Sequence, residues 1–577
     1  MNTRAQGPLL GALALLTIFR ALPAAAAEPL EPQGAPPAAS FNHLHTYEEI
    51  VDLLKGYAAA YPRWTRLESI GKSGQGRDLW MITITNPETG PELSKPAMYI
   101  DGNTHANEVQ GGDTALYTVG FLLENYGRLP RVTELLDRAV FYILPVVNPD
   151  GRSLWFRGPS DPDFPRTVMV PVDDDRDGVA DEDGYDDVDG DGYITTMRKK
   201  VPLGQGTHRL NPKDPRLLVP VGPGELGDWI ELGSEGYDND GDGKVNEDTV
   251  GYVDPNRTWG FSWEPEYVQS GAGPYPLAIP ETRSIALWAL RHPNVAAVES
   301  YHNNGQLILR GPGAKADPPY PAEDLAAYDL IAKEGERLLP GYKYSITWRD
   351  LYTVHGGTTD HFYNLMGSLA FTNEMYNPPA DFDKDGEVTD EELMKFNDLL
   401  TLGRQWVDWH PYDHPQYGKI EVGGYKRDVG RVPEPWALED ETHRSNAFVL
   451  FNAYHLPKLS LGEATVRKAG DGLWKVMVPV LNERAIPSMT AVAVKGQLHR
   501  QDIATVTGAK VISSGLVDDP YLDKIALQEH RPERLMVPGV KGLSTRLLFF
   551  LVQGNGEITV QYDSLKGGKI SKQIALR

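Results

Sequence analysis

The chain has 577 residues, 41% hydrophobic content, no cysteine and a formal net charge of −24. That length exceeds one ordinary domain. The acidic balance excludes a nucleic-acid role built on basic phosphate-neutralising patches, and the lack of cysteine excludes disulfides and a lipid-modified cysteine.

Residues 1–27 read as a signal peptide: Arg4 gives the positive start, Pro8 to Phe19 is apolar, and Ala24 to Ala27 offers small-residue cleavage sites. The expectation is a secreted or periplasmic protein that is not integral to the membrane after cleavage. No later stretch could span a bilayer. Residues 28–40, rich in Pro and Ala, read as a linker.

A capping box at Thr46-Tyr-Glu-Glu49 opens an amphipathic helix that ends near Tyr61-Pro62. A hairpin-like turn at Gly71–Arg77 leads into a strand over Leu79–Thr85. Ala97–Asp101 is a strand, Gln110–Tyr126 a helix, and Val140–Val147 a buried strand closing on Asn148-Pro-Asp-Gly151. Pro280–Leu290 is a helix, Val295–Tyr301 a strand, Ala322–Leu338 a helix and Ser368–Glu374 a strand. This alternation predicts an α/β domain with a mixed, mainly parallel central sheet flanked by helices, whose ligands bind at the carboxyl ends of the strands.

Three strands end in candidate metal chemistry: His105 and Glu108, then His302, then Glu374. His105 and Glu108, three residues apart on a turn, share a face. Two imidazoles and one carboxylate suit Zn²⁺, with the fourth position open to water. We therefore expect one catalytic zinc at these strand ends, with His105 and Glu108 as ligands and the third supplied by another of them.

Acidic insertions at 173–192, 238–248 and 381–392 interrupt the pattern. Asp173, Asp175 and Asp177 precede Gly178, with Asp181 following; Asp187, Asp189 and Asp191 precede Gly192. Asp238, Asp240 and Asp242 precede Gly243, and Asp381, Asp383 and Asp385 precede Gly386 and lead to Glu392. Oxygen ligands at alternate positions with glycine at the sixth describe calcium loops. The expected role of several Ca²⁺ is structural, in place of disulfides.

Near His410 the composition changes, which places a domain at 41–412, a connecting segment at 413–458 with a helix near Leu438–Tyr454, and a C-terminal domain at 459–577. Short apolar runs at Trp474–Val480, Met489–Val494, Thr545–Leu551 and Ile558–Tyr562 read as the strands of a β-sandwich. This domain shows no catalytic constellation and is expected to pack or dock rather than to bind carbohydrate or peptide.

Residues 41–410 resemble the zinc metallocarboxypeptidase family, the carboxypeptidase A-like enzymes. His105-Ala-Asn-Glu108 resembles its first zinc motif, and Tyr301-His302 its third ligand. Asp254-Pro-Asn-Arg257 resembles the family segment with an aspartate behind the zinc-binding histidine and an Asn-Arg pair for the substrate's terminal carboxylate. The resemblance implies Glu374 as general base, Arg198 of Met197-Arg-Lys199 as oxyanion stabiliser, Asn256, Arg257 and Tyr352 as carboxylate binders, Asp254 as partner of His105, and Thr359 as the residue setting side-chain preference. Asn107 stands where many members have an arginine, and Asn303-Asn304 replaces the usual Ser-Tyr. The short stretch before the first helix leaves no room for the family's inhibitory pro-domain.

The resemblance implies hydrolysis of the C-terminal residues of peptides or proteins. Two other readings stand beside it: a peptidoglycan or amide hydrolase on the same scaffold, and an inactive calcium-dependent binding protein. Neither the oligomeric state nor the preferred C-terminal residue is legible.

Overall fold

The computed structural model describes residues 27–157, 166–171, 173, 176–426 and 430–577. Nearly all of the expected signal peptide, and Asp175, lie outside them. In chain order come α1 (Tyr47–Ala60), β1 (Thr65–Lys72), β2 (Asp78–Ile84), β3 (Ala97–Gly102), α2 (Gln110–Asn125), α3 (Pro130–Arg138), β4 (Val140–Leu144) and α4 (Pro149–Arg157). Then follow β5 (Thr196–Lys200), β6 (His208–Leu210), β7 (Leu218–Pro220), β8 (Trp229–Ser234), α5 (Pro280–Arg291), β9 (Val295–Asn303) and β10 (Leu307–Arg310). Next are α6 (Ala322–Leu338), β11 (Lys343–Ile346), α7 (Thr358–Met366), β12 (Leu369–Met375), α8 (Asp390–Leu399), β13 (Trp406–His414), β14 (Gly418–Tyr425) and α9 (Pro435–Tyr454).

The central sheet runs β1-β2-β4-β3-β9-β12-β10-β11. Its middle members β4, β3, β9 and β12 are mutually parallel, and the outer pairs bring antiparallel neighbours. Both faces are covered, so alternate residues of one strand enter opposite cores. Met98 and Ile100 join the core under α1, α2, α6 and α9, while Ala97 and Tyr99 join the one under α5 and α7. Burying each large apolar side chain contributes about 1.5–3 kcal/mol. Residues 28–40 are not a free linker: Gln33 N donates to Ala60 O at 2.7 Å, and Leu30 packs on the core.

A second sheet, β13-β14-β5-β8-β6-β7, lies outside the sequence expectations. It stitches the acidic insertion to residues 406–425 and so crosses the expected 412/413 boundary, which would cut strand β13. Phe448 and Val449 of α9 also belong to the main core, so 413–458 is an integral part of the first domain.

The C-terminal domain comprises β15 (Leu459–Leu461), β16 (Thr465–Gly470), β17 (Leu473–Asn482), α10 (Ala491–Gly496), β18 (Asp502–Thr507), β19 (Lys510–Asp519), β20 (Lys524–Leu527), β21 (Arg534–Val537), β22 (Ser544–Gln553), β23 (Gly556–Ser564) and β24 (Gly568–Leu576). Its two antiparallel sheets, β15-β17-β22-β19-β20 and β21-β18-β23-β24, enclose a core of Val476, Val478, Phe550, Val560 and Tyr562, as a sandwich does. Met489–Val494 is not a strand: Thr490 caps α10, accepting from Ala493 N. The domain docks on the first one through Lys566, whose Nζ donates to Val295 O and, at 3.1 Å, to Ser368 Oγ.

Candidate metal centre and substrate cleft

Three parallel strands deliver the site. After β3 the chain turns through His105 and Glu108 into α2; His302 lies near the end of β9; Glu374 lies near the end of β12, in register with His302. Close contact at the loop's root demands glycine: a Cβ on Gly102 would lie 2.3 Å from Gly111 O, and one on Gly111 would lie 2.9 Å from Tyr301 O. Beneath the loop, buried Arg152 donates to Asn103 Oδ1, Val109 O and Asp113 Oδ2 at 2.9, 2.7 and 2.6 Å, and Asn103 Nδ2 donates to His105 O at 2.8 Å. The Asn148-Pro-Asp-Gly151 motif starts α4 and so aims Arg152 at this loop.

His105 Nδ1 lies 2.8 Å from Glu108 Oε1, and His302 Nδ1 lies 2.9 Å from Glu108 Oε2. The two Nδ1 atoms are 3.2 Å apart, and all three residues are buried. Converging nitrogens around a carboxylate fit a cation better than they fit each other, and the donor set is that of zinc. The outer ring nitrogens are also held. His105 Nε2 lies 3.1 Å from Asp254 Oδ1. His302 Nε2 lies 3.2 Å from Ser300 Oγ, which donates to Asp101 Oδ1 at 2.6 Å. Such partners fix the tautomer of a metal-binding histidine. Asp101 and Ser300 have no sequence signal beyond their place on the strands.

Electrostatics separate the two glutamates. Burial pushes the Glu108 carboxyl up, but His105 and His302 outweigh it and hold it well below the usual range. Glu374 is pushed up to about 7, by burial and then by Glu108. The two carboxyls, one inside the His-Glu-His set and one beside it, therefore differ in their readiness to hold a proton.

Asn256, Arg257, Tyr352 and Thr359, with Leu309, Val354 and Thr372, line a pocket of about 40 Å³ that also touches Glu374. Arg257 Nη1 donates to Asn256 O at 2.7 Å, and Nη2 to Tyr352 Oη at 3.4 Å. Asn256 Oδ1 accepts from Thr358 N at 2.8 Å, and Thr359 Oγ1 lies 2.7 Å from Thr372 Oγ1. A wider cleft of about 670 Å³ continues past Asn107, Arg166, Asp254, Arg257, Tyr352 and Arg431.

Arg198 is not part of this site. It lies on β5 in the second sheet, where Nε donates to Glu421 Oε2 at 2.9 Å and the guanidinium carbon stands 3.9 Å from the Trp409 ring centre and 4.6 Å from that of Trp229. These partners are distant in sequence, so a local triplet could not reveal them. Arg166 occupies the place beside the metal centre. Its Nε donates to Asp254 Oδ2 at 3.0 Å, and Nη2 lies 2.7 Å from His105 Nε2. Burial lowers its pKa, but Asp254 and Glu108 outweigh that and raise it. With the His105 Nε2 proton directed at Asp254, the ring's acceptor is Nδ1, 3.2 Å from Arg166 Nη2, and a metal on that nitrogen would leave Nη2 to the cleft.

The acidic loops share one geometry. The first carboxylate accepts from the sixth-position glycine N–H in each: Asp173 from Gly178, Asp187 from Gly192, Asp238 from Gly243 and Asp381 from Gly386, at 2.9–3.2 Å. Those glycines have φ between 90° and 105°, which other residues rarely adopt. Asp177, Asp189, Asp191, Asp240, Asp242, Asp383 and Asp385 lie on the same loops. Asp181 Oδ1 accepts from Gly251 N at 3.4 Å, and Glu392 closes the capping box of α8. The first and third loops meet through an Asp183–Asp248 bridge. Carboxylates gather as Asp177, Glu182 and Asp240, and as Asp183, Asp240 and Glu247. Desolvation and neighbouring acids push Glu182 and Glu247 up to about 7.

A buried His-Glu-His set at the ends of parallel strands, beside a glutamate outside that set, offers the donors of a single zinc site. Residues 50–163 and 231–386 match the model of the zinc carboxypeptidase family (Peptidase_M14) and so form a domain of that family. Residues 458–575 match a domain of unknown function, DUF8731. Carboxypeptidase D of Anas platyrhynchos is 35% identical over 148 residues, 24% of this chain and 11% of that protein. Carboxypeptidase Z of Mus musculus is 37% identical over 123 residues, 21% of this chain and 18% of that protein. The chain thus spans under a fifth of the length of these relatives. A solved structure of thrombin activatable fibrinolysis inhibitor superposes with a TM-score of 0.44 at 18% identity, covering 72% of this chain and 77% of that one. For carboxypeptidase A from Helicoverpa armigera the values are 0.44, 18%, 73% and 76%.

Proposed function

We propose that this protein is an exported zinc carboxypeptidase that removes C-terminal residues from peptides. The observation that carries the reading is the presence, in one cleft, of the His105–Glu108–His302 set, Glu374 and the Arg257–Tyr352 pair. His105, Glu108 and His302 would hold a zinc ion, which would supply Lewis acidity and lower the pKa of a water there towards ~7. Glu374 takes the water's proton and passes it to the leaving amine. Arg166, rather than Arg198, is placed to hydrogen-bond the oxyanion. Arg257 presents a planar fork to the terminal carboxylate, with Asn256 and Tyr352 beside it. Thr359 and Thr372 put short hydroxyl side chains in a pocket of about 40 Å³, a size that favours small C-terminal residues.

The test is mass spectrometry of a mixed peptide pool with and without a zinc-selective chelator. Stepwise loss of C-terminal residues, abolished by the chelator and restored by zinc, is the expected outcome. Intact free-acid peptides alongside cleaved amides would transfer the assignment to an amide hydrolase.

Export is supported by the charged start, apolar run and alanine cluster of residues 1–27. Among the described residues no helix is long and apolar enough to cross a membrane. Calcium is proposed as the counter-charge of the acidic loops, supported by their shared geometry and by carboxylates clustered with one another. Adding calcium to protein freed of it, with zinc present throughout, is expected to raise the melting temperature. A hundredfold excess over Kd gives about 2.7 kcal/mol per site. An unchanged melting temperature would remove the structural role.

A further inference from the structure

Arg431 reaches the cleft from beyond the family match, which ends at residue 386. Its backbone is fixed from both sides. Gly430 O accepts from Asn304 Nδ2 at 2.6 Å, and buried Val432 packs with Ala106, Val109 and Trp155. Ala106 and Val109 bracket Asn107 and Glu108, so the segment is pinned against the metal loop itself.

The guanidinium faces the cleft. Nη1 lies 3.9 Å from Glu108 Oε1 and donates to Asn303 O at 3.4 Å, the one hydrogen bond it makes among the described residues. The side chain is 33% exposed. A guanidinium carries five N–H donors in a planar fork that matches a carboxylate. Glu108 does not satisfy that fork, because its two oxygens face His105 and His302.

The location decides which part of a substrate meets it. On the carboxypeptidase reading, on which this inference rests, the C-terminal residue sits at Arg257, Tyr352 and Thr359. A peptide whose scissile carbonyl lies at the metal centre then continues away from Arg257, over Glu108, Asn303 and Arg431. We infer that Arg431 is a specificity-determining residue that binds an acidic side chain on one of the two residues upstream of the scissile bond. A protein of net charge −24 repels acidic peptides at long range, so a cation fixed in the cleft sets a local preference against that background.

The test uses the zinc-loaded protein and peptide pairs that differ only by Glu against Gln at the first or second position upstream of the bond. At one position Glu is expected to exceed Gln about tenfold in kcat/KM, mainly through KM. Arg431→Met should abolish the ratio while leaving the Gln peptide within about twofold, Arg431→Lys should keep part of it, and Arg431→Glu should invert it. Equal rates for Glu and Gln at both positions would overturn the inference, as would an Arg431→Met loss shared by both peptides. Fluorescence anisotropy of the same peptides separates the two readings. Glu-selective binding without cleavage would leave Arg431 as inferred and remove the carboxypeptidase assignment; cleavage without selectivity would do the reverse.

Discussion

Replacing Glu374 with Gln is expected to lower kcat by about 10²–10⁴, the usual contribution of a positioned general base, with zinc content unchanged. The amide keeps the size of the side chain but cannot take the water's proton. The substituted residue would stay in register with His302 on β9, so the metal ligands keep their places. The pH profile gives a second readout. Glu374 is pushed up to about 7 by burial and by Glu108, and its ionised form is the base, so kcat/KM should rise with pH towards that value. Bound zinc favours the ionised form, which places the acid limb at or below about 7. The Gln variant should lack this limb. A variant that binds zinc and cleaves like wild type would show that another group is the base.

Arg257→Ala is expected to cost about 2–5 kcal/mol in kcat/KM for peptides with a free C-terminus, as truncating one member of a buried charge pair does. Zinc binding should persist, since Arg257 touches Asn256 and Tyr352 rather than the His-Glu-His set. The diagnostic is the comparison with C-terminal amides. Wild type should strongly prefer the acid, and the variant should lose the acid and leave the amide nearly unchanged. If both substrates fall together, Arg257 supports the fold of the cleft rather than the carboxylate.

Much of the catalytic half is legible because its signals are local. Short continuous apolar runs define β3, β9 and β12, caps define α1, and the three strand ends carry His105, Glu108, His302 and Glu374 in an order that a parallel sheet brings together. The features that depend on distant partners are not legible. Arg198 resembles a catalytic triplet in sequence, yet Trp229, Trp409 and Glu421 hold it elsewhere. Arg166 and Arg431 sit in aperiodic stretches, and only the folded chain carries them to the cleft. The composition change near residue 412 falls inside a hairpin, because β13 and β14 pair with each other and β14 pairs with β5, far back in the chain. Met489–Val494 is too short for its apolar pattern to separate strand from helix, and the cap at Thr490 decides it.

The second sheet also sets an order of events. Arg198 and Glu421, partners across β5 and β14, are 223 residues apart in the chain. At a synthesis rate of about 5–20 residues per second, roughly 10–45 s separate their emergence from the ribosome. Until then β5 has only β8 beside it, and Met197 lacks its cover of Ile420 and Val422. The acidic loops need no such wait, since the first carboxylate and sixth glycine of each lie within a few residues. The insertion can therefore order its loops early while its sheet stays open at one edge, and the last piece to close it arrives after the strands that carry His302 and Glu374.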